Sequence, residues 1–597
     1  MPSPSEGQAN GSTMRDQGKR ADPVSTTTTA AAANKEEEQP ADGATTGPGL
    51  HLVVSTDAVN YTGMHMKPWR RRLVMLSLCL TLFLGALDIT IISTALPTVA
   101  RELHIDAQQY AWVGSGYNLA NTASMLVWTK VSDIFGRKSI IMVAASFFMV
   151  GSVVCARSVS STMLIGGRVI QGLGGGGSFV LTTVIISDIF PLEERAKYYG
   201  MTGMVWGIAA AIGPILGGVF AQEAGWRWCF YINLPVDGIA LVFIFFFLKV
   251  DIKKIPFVEG IRSLDWTGFV LVIGGTICFL YGLEVGASNL SPWSSAKVIC
   301  LILFGFILLA LFLVWEATMA KVPIIPFRVF QERNNVAAYA VACLHSFVFI
   351  SFDFFLPLYF QMVLEFKPII SAVTLFALIF PLSAATMSGS VIIRKTGYYK
   401  FLIVGGSAIM CLGNGLFILL GPTVNWPKVI LFQIVAGLGA GGMFQSPMIA
   451  LQNYLRQRDT AMAMAAYSFL RNLFTSVSIV IGTVLMQRSM KSGSFVTSGG
   501  QGGVDKTEYV NALHIMWAFY TGVTGLLLIA GLFIRQKPVT PRPGSGSDAK
   551  TTSKVGPGDD VERLPVRTDS GDNVEKASQP DVRNKETLET KEPVREN

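Results

Sequence analysis

The sequence predicts an all-α polytopic membrane protein, and three observations carry that prediction. Hydrophobic residues make up 51% of the 597 and charged residues only 15%, where a soluble domain carries about 25%. The charge is also segregated. Residues 1–66 hold 4 basic and 8 acidic side chains, 538–597 hold 10 and 12, and 67–537 hold 34 and 20. Within that middle stretch, apolar runs of about 20 residues, the length that crosses a hydrocarbon core of roughly 30 Å, recur between charged or Pro/Gly-rich breaks. This composition excludes a secreted disulfide scaffold, a soluble enzyme and a nucleic-acid module. No catalytic residues are expected.

The runs place fourteen spans at 73–95, 107–128, 139–156, 162–186, 198–221, 229–248, 266–286, 297–317, 335–357, 369–393, 401–421, 427–450, 461–486 and 512–534. Trp69, Trp112, Trp128, Trp226, Trp266, Trp293 and Trp426 fall at or near span ends, where an aromatic belt puts them. The two polar tails cannot bury enough apolar surface to offset the entropy of ordering, so both are expected to be disordered. The seven cysteines lie in or beside apolar runs and form no C-x-x-C pair. They read as small core hydrophobes, and no metal is expected.

An even number of spans puts both termini on one side. If that side is cytoplasmic, the membrane-proximal cytoplasmic segments carry 23 Lys/Arg and the opposite loops 9, the bias that orients membrane proteins. Arg168 and Arg471 remain inside spans.

The chain also repeats. Gly172-Leu-Gly-Gly-Gly-Gly-Ser-Phe179 in the fourth span matches Gly437-Leu-Gly-Ala-Gly-Gly-Met-Phe444 in the twelfth, at an offset of 265 residues. The same offset carries Asp88, the acid of the first span, onto Asp353 in the ninth. Spans 1–6 and 9–14 therefore read as parallel repeats, a known transporter plan. The expected organisation is a tail (1–66), a six-helix bundle (67–249), an inserted helix pair with its loops (250–334), a second bundle (335–537) and a tail (538–597).

Several stretches carry chemistry. The loop after span 2, Lys130-Val-Ser-Asp133-Ile-Phe-Gly136-Arg137-Lys138, sets one acid among three bases beside a glycine. It can lock two helix ends by charge pairs. Span 4 holds Arg168-Val-Ile-Gln171, a guanidinium within an apolar helix. Span 5 holds Gly207-Ile-Ala-Ala-Ala-Ile-Gly213-Pro214-Ile-Leu-Gly217-Gly218. Small residues there admit a neighbouring backbone, and Pro214 removes an amide donor. Span 1 adds Leu87-Asp88-Ile-Thr90, the turn into span 6 adds Trp226-Arg-Trp-Cys-Phe-Tyr-Ile-Asn233-Leu-Pro235, and span 9 ends in Leu356-Pro-Leu-Tyr-Phe-Gln361.

In that order these stretches resemble the motifs of the major facilitator superfamily, and especially its fourteen-helix drug:proton antiporter branch, including fungal efflux pumps for toxins and other secondary metabolites. The resemblance covers about 67–537. The loop motif departs from the family in opening with Thr129 instead of Gly. The resemblance implies the major facilitator fold, two six-helix bundles in parallel repeat plus two inserted helices. It also implies Asp133, Gly136, Arg137 and Lys138 as a gating loop. Gly207, Gly213, Pro214, Gly217 and Gly218 would be an antiporter-type helix motif that lets the two halves close on the outer side.

Charges inside a bilayer cost several kcal/mol, so each needs a partner or a purpose. Asp88 and Arg168 lie about seven and six residues from the outer ends of their spans, roughly 10 Å in at 1.5 Å per residue. An ion pair facing a central cavity and taking part in proton coupling is the expectation. Asp353 is a second candidate proton carrier. Arg471 either pairs with Asp353 or lines the cavity. Thr90, Gln171, Gln361, Gln433 and Gln445 are candidate cavity residues. The expected function is proton-coupled export of small, lipophilic compounds by alternating access, with the proton gradient as energy source and no cofactor. No phosphate-binding G-x-x-x-x-G-K-[ST] occurs, so no ATP is expected to be used. Expected partners are a small-molecule substrate, protons and the lipid bilayer, without nucleic acid, for a monomer in the plasma membrane with both termini cytoplasmic. The alternatives are a vacuolar carrier of basic amino acids or a siderophore carrier of the same fold, and a non-transporting membrane sensor.

Overall fold

The computed structural model describes residues 66–539, apart from 106, 250–255, 288–290, 321–322 and 491–505. The expected tails lie outside the described residues but for their inner ends. Lipid offers no hydrogen bonds, so each crossing segment must satisfy its own backbone. The described residues accordingly form helices, with no strand among them. Fourteen rods account for the expected spans. They are α1 (Pro68–Glu102), α2 (Ala107–Phe135), α3 (Arg137–Ala156), α4 (Ser161–Ile189), α5 (Leu192–Val219), α6 (Asn233–Phe247), α7 (Trp266–Ala287), α8 (Ala296–Thr318), α9 (Arg333–Met362), α10 (Phe376–Thr396), α11 (Lys400–Phe417), α12 (Trp426–Met443), α13 (Gln457–Ser489) and α14 (Lys506–Leu532). By length and composition, thirteen can cross a membrane. The exception is α2, which is long enough but carries Asn118 and Asn121 in mid-helix and packs on α3, α4, α7 and α13.

Short pieces extend several rods. Phe220–Ala224 adds a wide turn to α5, Trp228–Tyr231 leads into α6, Pro368–Thr374 precedes α10, and Ser446–Gln452 follows α12. The break in the twelfth span falls at Phe444 and Gln445, just before Pro447. Proline cannot donate to the preceding turn, so the helix restarts there. The two ends of the described stretch share a face, called the terminal face below. There the Arg535 amide donates to Asn334 Oδ1 at the start of α9 (2.9 Å), and Gln536 Nε2 to the Gly397 carbonyl (3.2 Å).

The parallel repeat is visible in who packs on whom. In the first six rods α1 pairs with α5 and α6, α4 with α2 and α3, and α3 with α6. In the last six, α9 pairs with α13 and α14, α12 with α10 and α11, and α11 with α14. Each pairing recurs eight helices later. The seam between the halves obeys the same relation, with α2 on α13 and α5 on α10. The inserted pair α7–α8 is a hairpin whose α7 touches α2 and α13, so it covers one side of the seam only.

The repeated glycine motif builds both halves alike. A methyl group on Gly172 or Gly176 would sit 2.3–2.4 Å from the Tyr117 and Asn121 carbonyl oxygens of α2, and one on Gly174 would sit 2.2 Å from the Phe148 amide of α3. Methyl groups on Gly437, Gly441 and Gly439 would likewise meet the Leu378 and Leu382 carbonyls of α10 and the Met410 amide of α11 at 2.2–2.4 Å. Without Cβ atoms, one helix nests against two backbones at once, the close approach that drives association in lipid.

The span-5 motif divides its labour. Gly213 and Gly217 face α1 of their own half, where added methyl groups would sit 2.0 Å from Thr90 Oγ1 and 2.2 Å from the Ile91 carbonyl. Gly207 and Gly218 face the other half, against Ser383 and Ile369. The expectation that the whole motif serves closure between halves is therefore corrected for Gly213 and Gly217, because a helix facing two neighbours shows each only some of its residues. Gly217→Ala should separate α1 from α5, so the yield of monodisperse protein after detergent extraction falls severalfold. Gly225→Ala, in a turn with nothing within 4 Å of the added methyl but φ +91°, tests backbone strain instead.

Candidate transport pathway

Asp88 and Arg168 form an ion pair in the core of the first bundle, at 0% and 1% exposure. Four helices supply its surroundings. Arg168 Nη1 also donates to Gln171 Oε1 (2.8 Å), and its Nε to the Val113 carbonyl (3.1 Å). Gln171 Nε2 donates to Asp88 Oδ1 (2.6 Å) and to Ser152 Oγ (2.9 Å). Asn233 Nδ2 reaches Asp88 Oδ1 (3.3 Å) and Ser152 Oγ (3.2 Å). The Arg168 guanidinium lies 4.5 Å from the centre of the Tyr117 ring. The pair therefore knits α1, α2, α3, α4 and α6 together. Facing a central cavity is not its position, because Gln171 and Asn233 enclose the carboxylate from behind and the ring covers the cation. Ser152 and Asn233 were invisible as partners in the sequence, where both look like isolated polar residues.

The junction of the halves has a different character. Trp206 of α5 meets Phe349 of α9 (ring centres 5.8 Å) and Phe444 at the α12 break (6.3 Å). Phe349 and Phe444 lie edge to face at 5.7 Å, and His345 stacks on Phe349 at 5.9 Å. His345 Nε2 donates to the Ala440 carbonyl (3.1 Å), which fixes that ring. Arg471 of α13 holds its guanidinium 5.1 Å from the Phe444 ring and 5.7 Å from Tyr467. Next to it, Asn472 Nδ2 donates across the seam to Asn121 Oδ1 of α2 (3.0 Å). Gln445 is buried beside Gly203.

Other expected residues sit apart from this junction. Ser346 of α9 donates to the Arg471 carbonyl (3.2 Å), whereas Asp353 is seven residues further along, roughly 10 Å by helical rise. Asp353 makes no ion pair with Arg471; of the two readings for Arg471, pairing is excluded. Gln433 donates to the carbonyl of Val429 in its own helix (2.8 Å), and Gln361 to Ser371 Oγ near the far face (3.4 Å). Thr90 donates to the Ala209 carbonyl (3.3 Å), which ties α1 to α5.

The terminal face holds two clusters. Arg137 bridges Asp133 (2.5 Å) and Asp188 (2.8 Å) and donates to Ser132 Oγ (2.6 Å). Gly136 supplies the reversal that starts α3, at φ +95°, and Gly397 does so before α11, at φ +71°. Lys138 Nζ donates to the Phe245 carbonyl (2.5 Å). This loop ties together helix ends of one half. The bridge between halves is Arg195 at the start of α5. It is buried and donates to the Phe190 (2.8 Å) and Ser187 (2.6 Å) carbonyls, and across the seam to Gln452 Oε1 (2.9 Å) and Gln457 Oε1 (3.2 Å). Gln452 Nε2 in turn donates to the Tyr199 hydroxyl (2.9 Å). Arg195 and Asp188 escaped the sequence reading because a base and an acid at helix ends look like ordinary interfacial charges. At the far face, Glu102 accepts from Arg227 (2.5 Å) and from the Trp226 indole (2.7 Å). The Arg227 hydrogen bond, seconded by the indole, holds that carboxyl below its ordinary value.

Two seams related by the parallel repeat, a buried charge pair in one bundle and an aromatic junction between the halves define a polytopic membrane transporter. Residues 78–479 match the Major Facilitator Superfamily. "Efflux pump dotC" of Dothistroma septosporum is 42% identical over 493 residues, covering 78% of this chain and 85% of that protein. "MFS-type transporter ppz2" of Metarhizium majus is 40% identical over 507 residues, covering 80% and 87%. "Efflux pump FUS6" of Gibberella fujikuroi is 36% identical, covering 67% and 72%. The solved structure of the human organic anion transporter MFSD10 (TETRAN) shares the fold, with a TM-score of 0.52 at 14% identity, over 78% of this chain and all of that one. The chain belongs to the major facilitator superfamily; it is an integral membrane transporter and not an enzyme.

Proposed function

We propose that the chain exports small, largely apolar compounds such as secondary metabolites, toxins or drugs, in exchange for protons. The observation that carries this reading is the aromatic junction of Trp206, Phe349 and Phe444, contributed by both halves at the level where the repeats meet. Apolar rings at a repeat interface suit apolar cargo, and rocking of the halves would expose them to each side in turn. Export is supported by the relatives named efflux pumps and by the Gly213-Pro214 motif of α5. The Asp88–Arg168 pair is the candidate for proton coupling, with Asp353 as a second carboxylate. The proton gradient supplies the energy, without ATP, and a monomer suffices because both halves lie in one chain. The basic bias supports cytoplasmic termini, and the plasma membrane is the proposed site. The cation at Arg471 weighs against a carrier of basic amino acids.

The test is transport in sealed vesicles with an imposed pH gradient and a panel of fluorescent lipophilic dyes. Uptake should require the gradient, vanish with a protonophore and be insensitive to ATP. Dye movement that ignores the gradient would end the antiport reading.

A further inference from the structure

We infer that Arg471 is an anion-binding point in the substrate site, and that the preferred cargo is a planar aromatic compound carrying a carboxylate. The inference rests on the export reading above for the site's location and deepens it by naming the cargo's chemistry.

Three other arginines, all buried, are committed to partners. Arg168 is spent on Asp88, Arg137 on Asp133 and Asp188, and Arg195 on carbonyls and two glutamines. Arg471 makes no ion pair among the described residues. A cation in mid-helix is costly in a bilayer, and a hydrogen bond to the neutral Tyr467 hydroxyl and the two rings near its guanidinium offset only part of that. Arg471 is half-buried, as is every residue of α13 from Leu470 to Val477. A planar fork of N–H donors matches a carboxylate in two-point geometry.

The surroundings select the rest of the molecule. Trp206, Phe349, Phe444 and His345 form a ring set with centres 5.7–6.3 Å apart, reached from both halves. A flat aromatic cargo would pair with those rings as they pair with one another, an attraction that branched aliphatic chains lack. Asn472, adjacent to Arg471, holds α2 of the other half through Asn121. An anion that pulls on Arg471 thus acts one residue from a bond that crosses the seam.

The experiment measures equilibrium binding of a pyrene carboxylate and of its uncharged methyl ester to the full chain in nanodiscs, with wild type, R471K and R471Q. Wild type should bind the carboxylate at least about tenfold more tightly than the ester. R471Q should bring the carboxylate down to the ester's affinity, and R471K should retain part of the preference because it keeps the charge and loses the fork. Thermal melting of each variant identifies a misfolded one, and R471K then carries the comparison. Equal affinity of wild type for both probes, or an unchanged preference in R471Q, overturns the inference. Gradient-driven movement of neutral dyes alongside equal affinities sinks the anion point and spares the export reading. Carboxylate preference without transport of any compound does the reverse.

Discussion

Arg168→Ala is expected to abolish transport and to destabilise the first bundle by about 3–5 kcal/mol, the range for breaking a buried ion pair by removing one partner. The size follows from what is left behind. Asp88, at 0% exposure, would keep only Gln171 and Asn233 as donors, and Tyr117 would lose the cation over its ring. A lower thermal midpoint in detergent, with Cys155 beside Gln171 reacting faster with a small maleimide, reads the loosening. The double variant Asp88→Asn with Arg168→Gln separates structure from coupling. It removes both charges while keeping amides at both positions, so stability should largely return, as neutral replacement of a buried pair often allows. If the pair couples protons, the restored protein binds substrate and fails to concentrate it against a pH gradient. Concentrative transport by the double variant would make the pair purely architectural and direct attention to Asp353.

The second large effect is at Arg195. Hydrogen bonds to a charged group contribute about 1.5–3 kcal/mol each, and two from Arg195 cross from the first half to Gln452 and Gln457. Removing them should shift the balance away from the state closed at the terminal face by on the order of a hundredfold. In a background without native cysteines, a cysteine at buried Met448, on the short helix that carries Gln452, should label at least about tenfold faster in Arg195→Ala. Transport should fall with it, since a cycle needs both closed states. Arg195→Lys should rescue poorly, because an ammonium cannot serve two carbonyls and two amide oxygens in one plane. An unchanged labelling rate would show that the other seam contacts hold the terminal face shut without Arg195.

The sequence by itself determined the helices, their number and the repeat. A span must be about 20 residues long and apolar because lipid satisfies no backbone group, and that requirement is local. The glycines of α4 and α12 were legible for the same reason: packing by missing Cβ atoms leaves its mark in the residues themselves. Asp88 and Arg168 stood out because unpaired charge is costly in a bilayer, and equal depth was enough to suggest the pair. Only the tertiary structure decided that this pair is walled in by Gln171, Asn233 and the Tyr117 ring, that Arg471 lies among rings instead of beside Asp353, and that Gly213 and Gly217 serve α1. It also decided that the bridge between the halves at the terminal face is Arg195, whose partners Gln452 and Gln457 lie 257 and 262 residues away. Which face of a helix meets which neighbour depends on all fourteen rods at once, and a polar side chain looks the same in the sequence whether its partner is water, its own helix or the opposite half.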